Sequence, residues 1–248
     1  MNCLKLKNIM SKDELSVRMK EFYEVRTRTY LPRRTYTIIR LDGKAFHTYT
    51  KHLDKPFDYG FIDDMNETAK YLCENIQGVK LAYVQSDEIT LVLTDFDTLS
   101  TDAWFNGEVQ KIASVSASLA AARFNQLRMC RLQSFDIKLA FFDSRCFTIP
   151  SQQEVFNNLI WRQRDCIRNS ISSVAQALYS HKELEHKNQD DMKRMCADKG
   201  FDWNDFGEGV KYGRILMRVR YTKNEVTRKE WKVCSAPLFC SACLGLII

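Results

Sequence analysis

The chain has 248 residues, a formal net charge of +6, 45% hydrophobic and 27% charged residues, which excludes disordered and fibrous classes. No apolar run approaches the ~20 residues that a membrane-spanning helix needs, and Leu244–Ile248 is far too short. Residues 1 to 20 lack the apolar stretch of a signal peptide, and Asp13 and Glu14 do not suit a transit peptide. The nine cysteines are scattered, and only Cys240 and Cys243 have metal-type spacing, with no second pair to complete a zinc site. Reduced thiols and a cytoplasmic setting are expected, with a mitochondrial one as the alternative.

Taken in order, residues 11–26 read as a helix, with Ser11 as N-cap, Glu14 completing a capping box and basic residues toward its end. Pro32 breaks the pattern. A strand, Thr35 to Leu41, then stops at Asp42-Gly43. A helix from about Phe61 to Ile76 carries Met65, Ala69, Leu72 and Ile76 at helical spacing. Tyr83 to Leu93 reads as a hairpin, two β-branched flanks around a bend that holds Ser86, Asp87 and Glu88. A second helix, 107–126, presents the small residues Ala113, Ser116, Ala117, Ala120 and Ala121, ahead of Phe124. Phe135 to Phe141 alternates as a fourth strand.

This β-α-β-β-α-β order predicts an α+β, ferredoxin-like fold. Right-handed crossovers make the first two strands parallel, with the third antiparallel between them. Asp42 and the Ser86-Asp87 bend then meet at one edge of the sheet.

The remainder, 151–248, is expected to pack on this 1–150 unit as a helical region plus a basic hairpin. A helical stretch runs from Gln153 to about Leu184, and another is capped by Asn188 and ended by Gly200. Between Arg214 and Lys232 stand seven basic residues against two glutamates, an electrostatic footprint for a polyanion. Alternation puts Arg214, Arg218 and Arg220 on one face of this hairpin, opposite Ile215, Met217, Val219 and Tyr221.

Carboxylates crowded at a sheet edge repel, and burying them is costly unless they are paired or metal-bound. Two Mg²⁺ ions remove that cost and clamp a phosphoryl transfer. Gly43 lets backbone or triphosphate approach closely. Taken singly, Asp42-Gly43 and Ser86-Asp87 are ordinary turn formers; their predicted meeting favours chemistry. The third strand carries no aromatic residue, which argues against a base-stacking sheet face. Lys55 reads as a loop lysine before it reads as a phosphate ligand, and Trp161 as a core tryptophan about as well as part of a phosphate contact with Arg162 and Gln163.

Four runs then stand out: Arg40-Leu41-Asp42-Gly43-Lys44-Ala45-Phe46-His47, Gln85-Ser86-Asp87-Glu88, Phe142-Asp143-Ser144-Arg145-Cys146-Phe147, and Trp161 to Ser170. Together they resemble the tRNA-histidine guanylyltransferase superfamily, over about residues 12–235, and within it the guanylyltransferase-like 3′-to-5′ RNA polymerases. The resemblance implies a polymerase-palm fold, two Mg²⁺ ions, ATP and GTP or other nucleoside triphosphates as substrates, tRNA as partner, and a homotetramer. It assigns Asp42, the Gly43 carbonyl and Asp87 to metal, with Glu88 beside them as a catalytic carboxylate. Lys44, Ala45, Phe46, His47, Lys55, Ser86 and Asn169 fall among the nucleotide contacts. Arg145 and Arg162 join Arg214, Arg218 and Arg220 as RNA contacts.

One departure bears on specificity. Eukaryotic guanylyltransferases carry His-Ile-Asn-Asn where this chain has Ile167-Arg168-Asn169-Ser170. That favours template-dependent repair of 5′-truncated tRNA over addition of G at position −1 of histidine tRNA. A nucleotidyl cyclase on the same scaffold and a non-catalytic RNA-binding protein are the more remote alternatives. The cysteine-rich end from Cys234 does not look like the family.

Overall fold

The computed structural model describes residues 12–223 and 226–239. Its centre is a six-stranded sheet in the order β4-β1-β3-β2-β5-β6, formed by β1 (Tyr36–Gly43), β2 (Val79–Gln85), β3 (Glu88–Leu93), β4 (Phe142–Ile149), β5 (Arg214–Lys223) and β6 (Val226–Ser235). Every neighbouring pair is antiparallel, so β1 and β2 run parallel with β3 between them, as expected. The basic hairpin is therefore a continuation of this sheet, because β5 pairs directly with β2. A cut near residue 150 separates no second sheet.

Helices cover both faces. The helix α1 (Lys12–Met19) continues through a wider turn to Glu24, and its described side chains are exposed. A short turn, α2 (Phe46–Tyr49), follows β1. On one face lie α3 (Tyr59–Asn75) and α4 (Val109–Leu132). Asp58 caps α3 by accepting from the Phe61 N–H at 2.6 Å, and Phe61, Met65, Ala69 and Leu72 drop into a core with Ile39, Leu41, Val84 and Leu91. That helix is as predicted. α4 is longer than predicted, and its buried row is Ile112, Ser116, Ala120, Phe124 and Arg128, while Ala113, Ala117 and Ala121 are only partly buried. Arg128 and Arg131 both bind the buried Asp64 of α3, which ties the two helices together.

On the opposite face α5 (Gln152–Leu178) packs Val155, Phe156 and Leu159 against Ile38, Leu81, Tyr83 and Val92. It ends at Leu178 rather than near 184; α6 (His181–Leu184) is a separate turn with its own capping box on Ser180. A third cluster joins α5 to α7 (Gln189–Asp198) around Trp203, followed by α8 (Glu208–Lys211). Asn188 caps α7 and Gly200 takes a positive φ just beyond it, both as expected.

Two expectations fail. Residues 135–141 are not a strand. β1 ends at Gly43, whose partner is Phe142, so nothing on β1 is left to pair with earlier residues. Instead Asn125 holds the Ala140 backbone from both sides, at 2.8 and 2.9 Å, and Phe135 stands 93% exposed. Trp161 is not a core residue: it is 50% exposed. The start of the tail, by contrast, is structured. Gln163 donates to the Pro237 carbonyl and accepts from the Phe239 N–H, and Phe239 packs on Tyr83 and Phe156. Ser11, Asn224, Glu225 and the Cys240–Cys243 pair lie outside the described residues.

Candidate active site

Three strands bring carboxylates into one row. Asp42 on β1 stands directly opposite Glu88 on β3 and Asp143 on β4. Cross-strand partners share a face, and Ile38, Arg40 and Asp42 alternate onto the face covered by α5. Asp87 follows from the bend, where Ser86 takes a left-handed φ of 45°. Burial, then the charge of Asp143, raises the Asp42 carboxyl above its ordinary range, with Arg145, Arg40 and Arg162 pulling the other way. Burial likewise pushes Asp87 up to about 6, with Asp42 and Glu88 adding to the effect. Both are carboxylates whose charge the protein compensates only in part.

Glu88 differs. It is buried and receives the Arg162 guanidinium in two-point fashion, Nε to Oε1 at 2.8 Å and Nη2 to Oε2 at 2.6 Å. Its oxygens are committed, so it braces the row instead of joining Asp42 and Asp87 at the open edge. Among the described residues no three His, Cys, Asp or Glu side chains converge as a self-sufficient metal cage. Two carboxylates and a backbone carbonyl suit Mg²⁺, which takes the rest of its shell from water and substrate phosphates.

Gly43 has a definite reason to be glycine: a Cβ there would lie 2.3 Å from the Phe46 ring. The close approach thus belongs to Phe46, whose side chain is buried among Tyr49, Phe61, Phe124 and Phe142. Beside it opens a cleft of about 410 Å³, lined by Gly43, Ala45, Phe46, His47, Ser86, Asp87 and Asn169. It shares Thr50, Ser86, Asn169 and Ser173 as a wall with a second cavity, lined also by Lys55, Asp58, Gln85 and Arg214. There the Gln85 Oε1 and one Arg214 nitrogen, Nη2, are buried without a hydrogen-bond partner. Burial lowers the Arg214 pKa. A buried orphaned donor and acceptor on residues that wall this cavity suit a polar ligand, and the carboxylates nearby require that an anionic one arrive with cations.

Residues 16–150 match the tRNAHis guanylyltransferase (Thg1) family. The fold superposes on a bacterial tRNA(His) guanylyltransferase (Thg1)-like protein in complex with ATP, with a TM-score of 0.83 and 44% identity over 90% of this chain and 93% of that one. The complex of such a bacterial protein with GTP gives a TM-score of 0.78 and the same identity over 91% and 94%. The tRNA(His) guanylyltransferase of Eremothecium gossypii is 30% identical over 79% of this chain and 87% of its own length. The chain belongs to the tRNAHis guanylyltransferase family. It is a nucleotidyltransferase with the family's palm-like α+β fold.

The family's motif residues divide by placement. Asp42, Gly43, Ala45, Phe46, His47, Lys55, Ser86, Asp87 and Asn169 surround the two adjacent cavities or edge them. Lys44 is exposed and lines neither; its backbone N–H is bound by the Phe141 carbonyl. Phe46 offers the cleft little beyond its backbone edge. Arg162 and Arg214 are buried, against Glu88 and Asn66 respectively, so neither presents a free guanidinium to an RNA backbone. Arg145 is half-exposed and paired with Asp143 at 3.0 Å. Arg218 and Arg220 are exposed, the former lying over the Trp231 ring. Because β5 runs antiparallel to β2, both lie toward the sheet edge opposite the Ser86-Asp87 bend.

Sequence reasoning missed Ser172, Ser173 and Gln176, which line the cleft beside Asn169. A signal existed: positions 169, 172, 173 and 176 form a polar stripe at helical spacing. Asp143 was also passed over, because its facing of Asp42 depends on a strand register that begins only at Phe142.

Proposed function

We propose that the chain is a Mg²⁺-dependent nucleotidyltransferase that adds nucleotides in the 3′-to-5′ direction to the 5′ end of tRNA, repairing 5′-truncated molecules under direction of the opposing base. The observation that carries this reading is that Gly43, Asp87, Ser86, Asn169 and Lys55 line two adjacent cavities with shared walls, while Asp42, next to Gly43 on β1, stands beside them. The bacterial relatives holding ATP or GTP, at 44% identity, support nucleoside triphosphates as occupants.

Asp42, Asp87 and the Gly43 carbonyl would hold the metal pair, which when bound supplies charge neutralisation for the triphosphate and the developing transition state. The residues of the chain do the positioning. Lys55, Ser86 and Asn169 orient the phosphates, Arg162 keeps Glu88 from adding another free charge, and Ser172, Ser173 and Gln176 offer polar contacts along α5. In the transfer, the 3′-hydroxyl oxygen of the incoming nucleotide attacks the phosphorus of an activated 5′ end and forms the phosphodiester. The bond to the activating phosphate group breaks, that group leaves with its electron pair, and the hydroxyl proton passes to solvent. Holding both reactants in one cleft turns a bimolecular encounter into an oriented one. Copies of the chain are proposed to assemble as a homotetramer.

The test supplies tRNAs that lack their first 5′ nucleotide and carry a 5′-triphosphate as the activated end, varies the opposing base through all four identities, and offers each nucleotide singly with Mg²⁺. Addition of the complementary nucleotide in each case is expected. Guanine added whatever stands opposite would instead make the protein a histidine-tRNA guanylyltransferase, and no addition at all would reject the polymerase reading. Ile167 standing where the guanylyltransferases have histidine favours the first outcome.

A further inference from the structure

Of the four tryptophans, Trp161 is the exposed one; Trp203 and Trp231 are buried and Trp104 is partly so. Exposing half of an indole forgoes burial that the core could have used. Its surroundings are specific. The Arg40 guanidinium lies 5.4 Å and the Arg162 guanidinium 4.5 Å from the ring centroid. Arg40 stands two residues before Asp42 on the same face of β1, roughly 7 Å along the strand. Trp161 also borders a depression of about 380 Å³ with Arg164, Ile167, Arg168 and Gln189. Arg164 and Arg168 are exposed. Arg168 shares Asp165 with Arg162, while no ion pair is recorded for Arg164 among the described residues.

An aromatic face bordered by guanidinium groups, a nucleotide-sized hollow and an amide are what a single unstacked base with its phosphate requires. The hollow lies on a different side of α5 from Asn169, Ser173 and Gln176, so it is separate from the triphosphate cleft. We propose that Trp161, with Arg164 and Arg168, is a stacking platform for one unpaired nucleobase of the RNA acceptor, next to the end of its duplex. The inference rests on RNA being the substrate, and it names the element that aligns the duplex end with the Asp42–Asp87 edge. An unpaired base parked on Trp161 caps the helix and sets how far the 5′ end reaches into the cleft.

The test uses the full-length protein and short RNA hairpins that carry a single-stranded 3′ overhang, either intact or with its first nucleotide abasic. Affinity is read by anisotropy of a labelled hairpin and contact with the indole by tryptophan fluorescence. The wild type is expected to bind the intact overhang about tenfold tighter than the abasic one, with fluorescence quenching, as one stacked base should give. Trp161→Ala should erase that preference and the quenching, and Trp161→Phe should keep most of the preference without the quenching. Replacing Arg164 and Arg168 together by Gln should lower affinity and flatten the log–log salt slope by about 1.5. Melting curves confirm that each variant is folded. Equal binding of intact and abasic overhangs by the wild type, or a tenfold preference retained in Trp161→Ala, overturns the platform even if nucleotide addition to tRNA proceeds. If the wild type binds neither hairpin and adds no nucleotide to tRNA, the RNA reading itself fails and the platform falls with it.

Discussion

Asp87 carries the largest electrostatic cost among the carboxylates of the row. Its carboxyl titrates near 6 in the folded chain, above the usual value of about 3.9. A raised pKa means that folding favours the protonated form. That contribution is complete below about pH 4 and is lost as pH rises through 6. The apo protein should therefore give up stability from this residue between pH 4 and 7, and Asp87→Asn should be free of that loss. At pH 7 the apo variant is expected to melt about 5–10 °C above the wild type, roughly 2–3 kcal/mol. Mg²⁺ with ATP should stabilise the wild type more at pH 7.5 than at pH 5.5, and the variant little at either. A variant that melts no higher than wild type at pH 7 would show that Asp87 is already compensated. Asp42→Ala and Asp87→Ala should each lower nucleotide addition by about 10³-fold, with far-UV dichroism and tRNA affinity close to wild type. Near-normal turnover by either at saturating Mg²⁺ would sink the two-metal assignment.

Among the elements, α5 does the most to assemble the site. One stretch of it buries Arg162 against Glu88, lays Asn169, Ser173 and Gln176 along the cleft, and anchors Pro237 and Phe239 through Gln163. The Glu88–Arg162 pair is buried on both sides, so removing one partner strands the other charge. Arg162→Met is expected to cost about 3–5 kcal/mol in urea unfolding, and Glu88→Met combined with Arg162→Met should recover most of it. A single-variant cost under about 1 kcal/mol would mean that solvent reaches Glu88 and that its bracing role is wrong. The segment at 135–141 makes a related point about how elements form. Its alternation is strand-like, yet it lacks a partner strand because β1 ends at Gly43, and a single side chain, Asn125, satisfies Ala140 instead.

At the scale of the molecule, the basic hairpin is the far end of a sheet whose other edge holds the carboxylates. Arg220 stands six positions beyond Arg214, roughly 20 Å along the strand from the bend. A tRNA long enough to touch both would be gripped at a distance from its reacting end. Arg218→Gln with Arg220→Gln is thus expected to weaken tRNA binding and reduce the log–log salt slope by about 1.5, while leaving turnover at saturating tRNA unchanged. An unchanged slope in the double variant would place the polyanion elsewhere. Tyr83 shows how tightly the hairpin is docked: its hydroxyl donates to the Tyr212 carbonyl, and a Cβ on Gly213, which has φ +86°, would come within 2.5 Å of it.

Local chemistry alone determined a good deal of this protein. The strand–turn signals at Asp42-Gly43 and Ser86-Asp87, the cap at Asn188 and the Gly200 stop depend on neighbours a few residues away, and strand order followed from crossover handedness. Hence the palm-like topology and the meeting of Asp42 with the bend were legible. Exposure was not. Arg214, Arg218 and Arg220 alternate identically, yet Arg214 is buried because it alone lies where β5 pairs with β2 under α3's Asn66. Likewise Glu88 and Asp87 are adjacent carboxylates, one neutralised by an arginine 74 positions on and the other pushed up by burial to about 6. Such distinctions arise from which chain segment lies across the sheet, a long-range fact that periodicity in sequence does not encode: α3 and the β2–β5 pairing decided the arginines, and α5 decided the carboxylates.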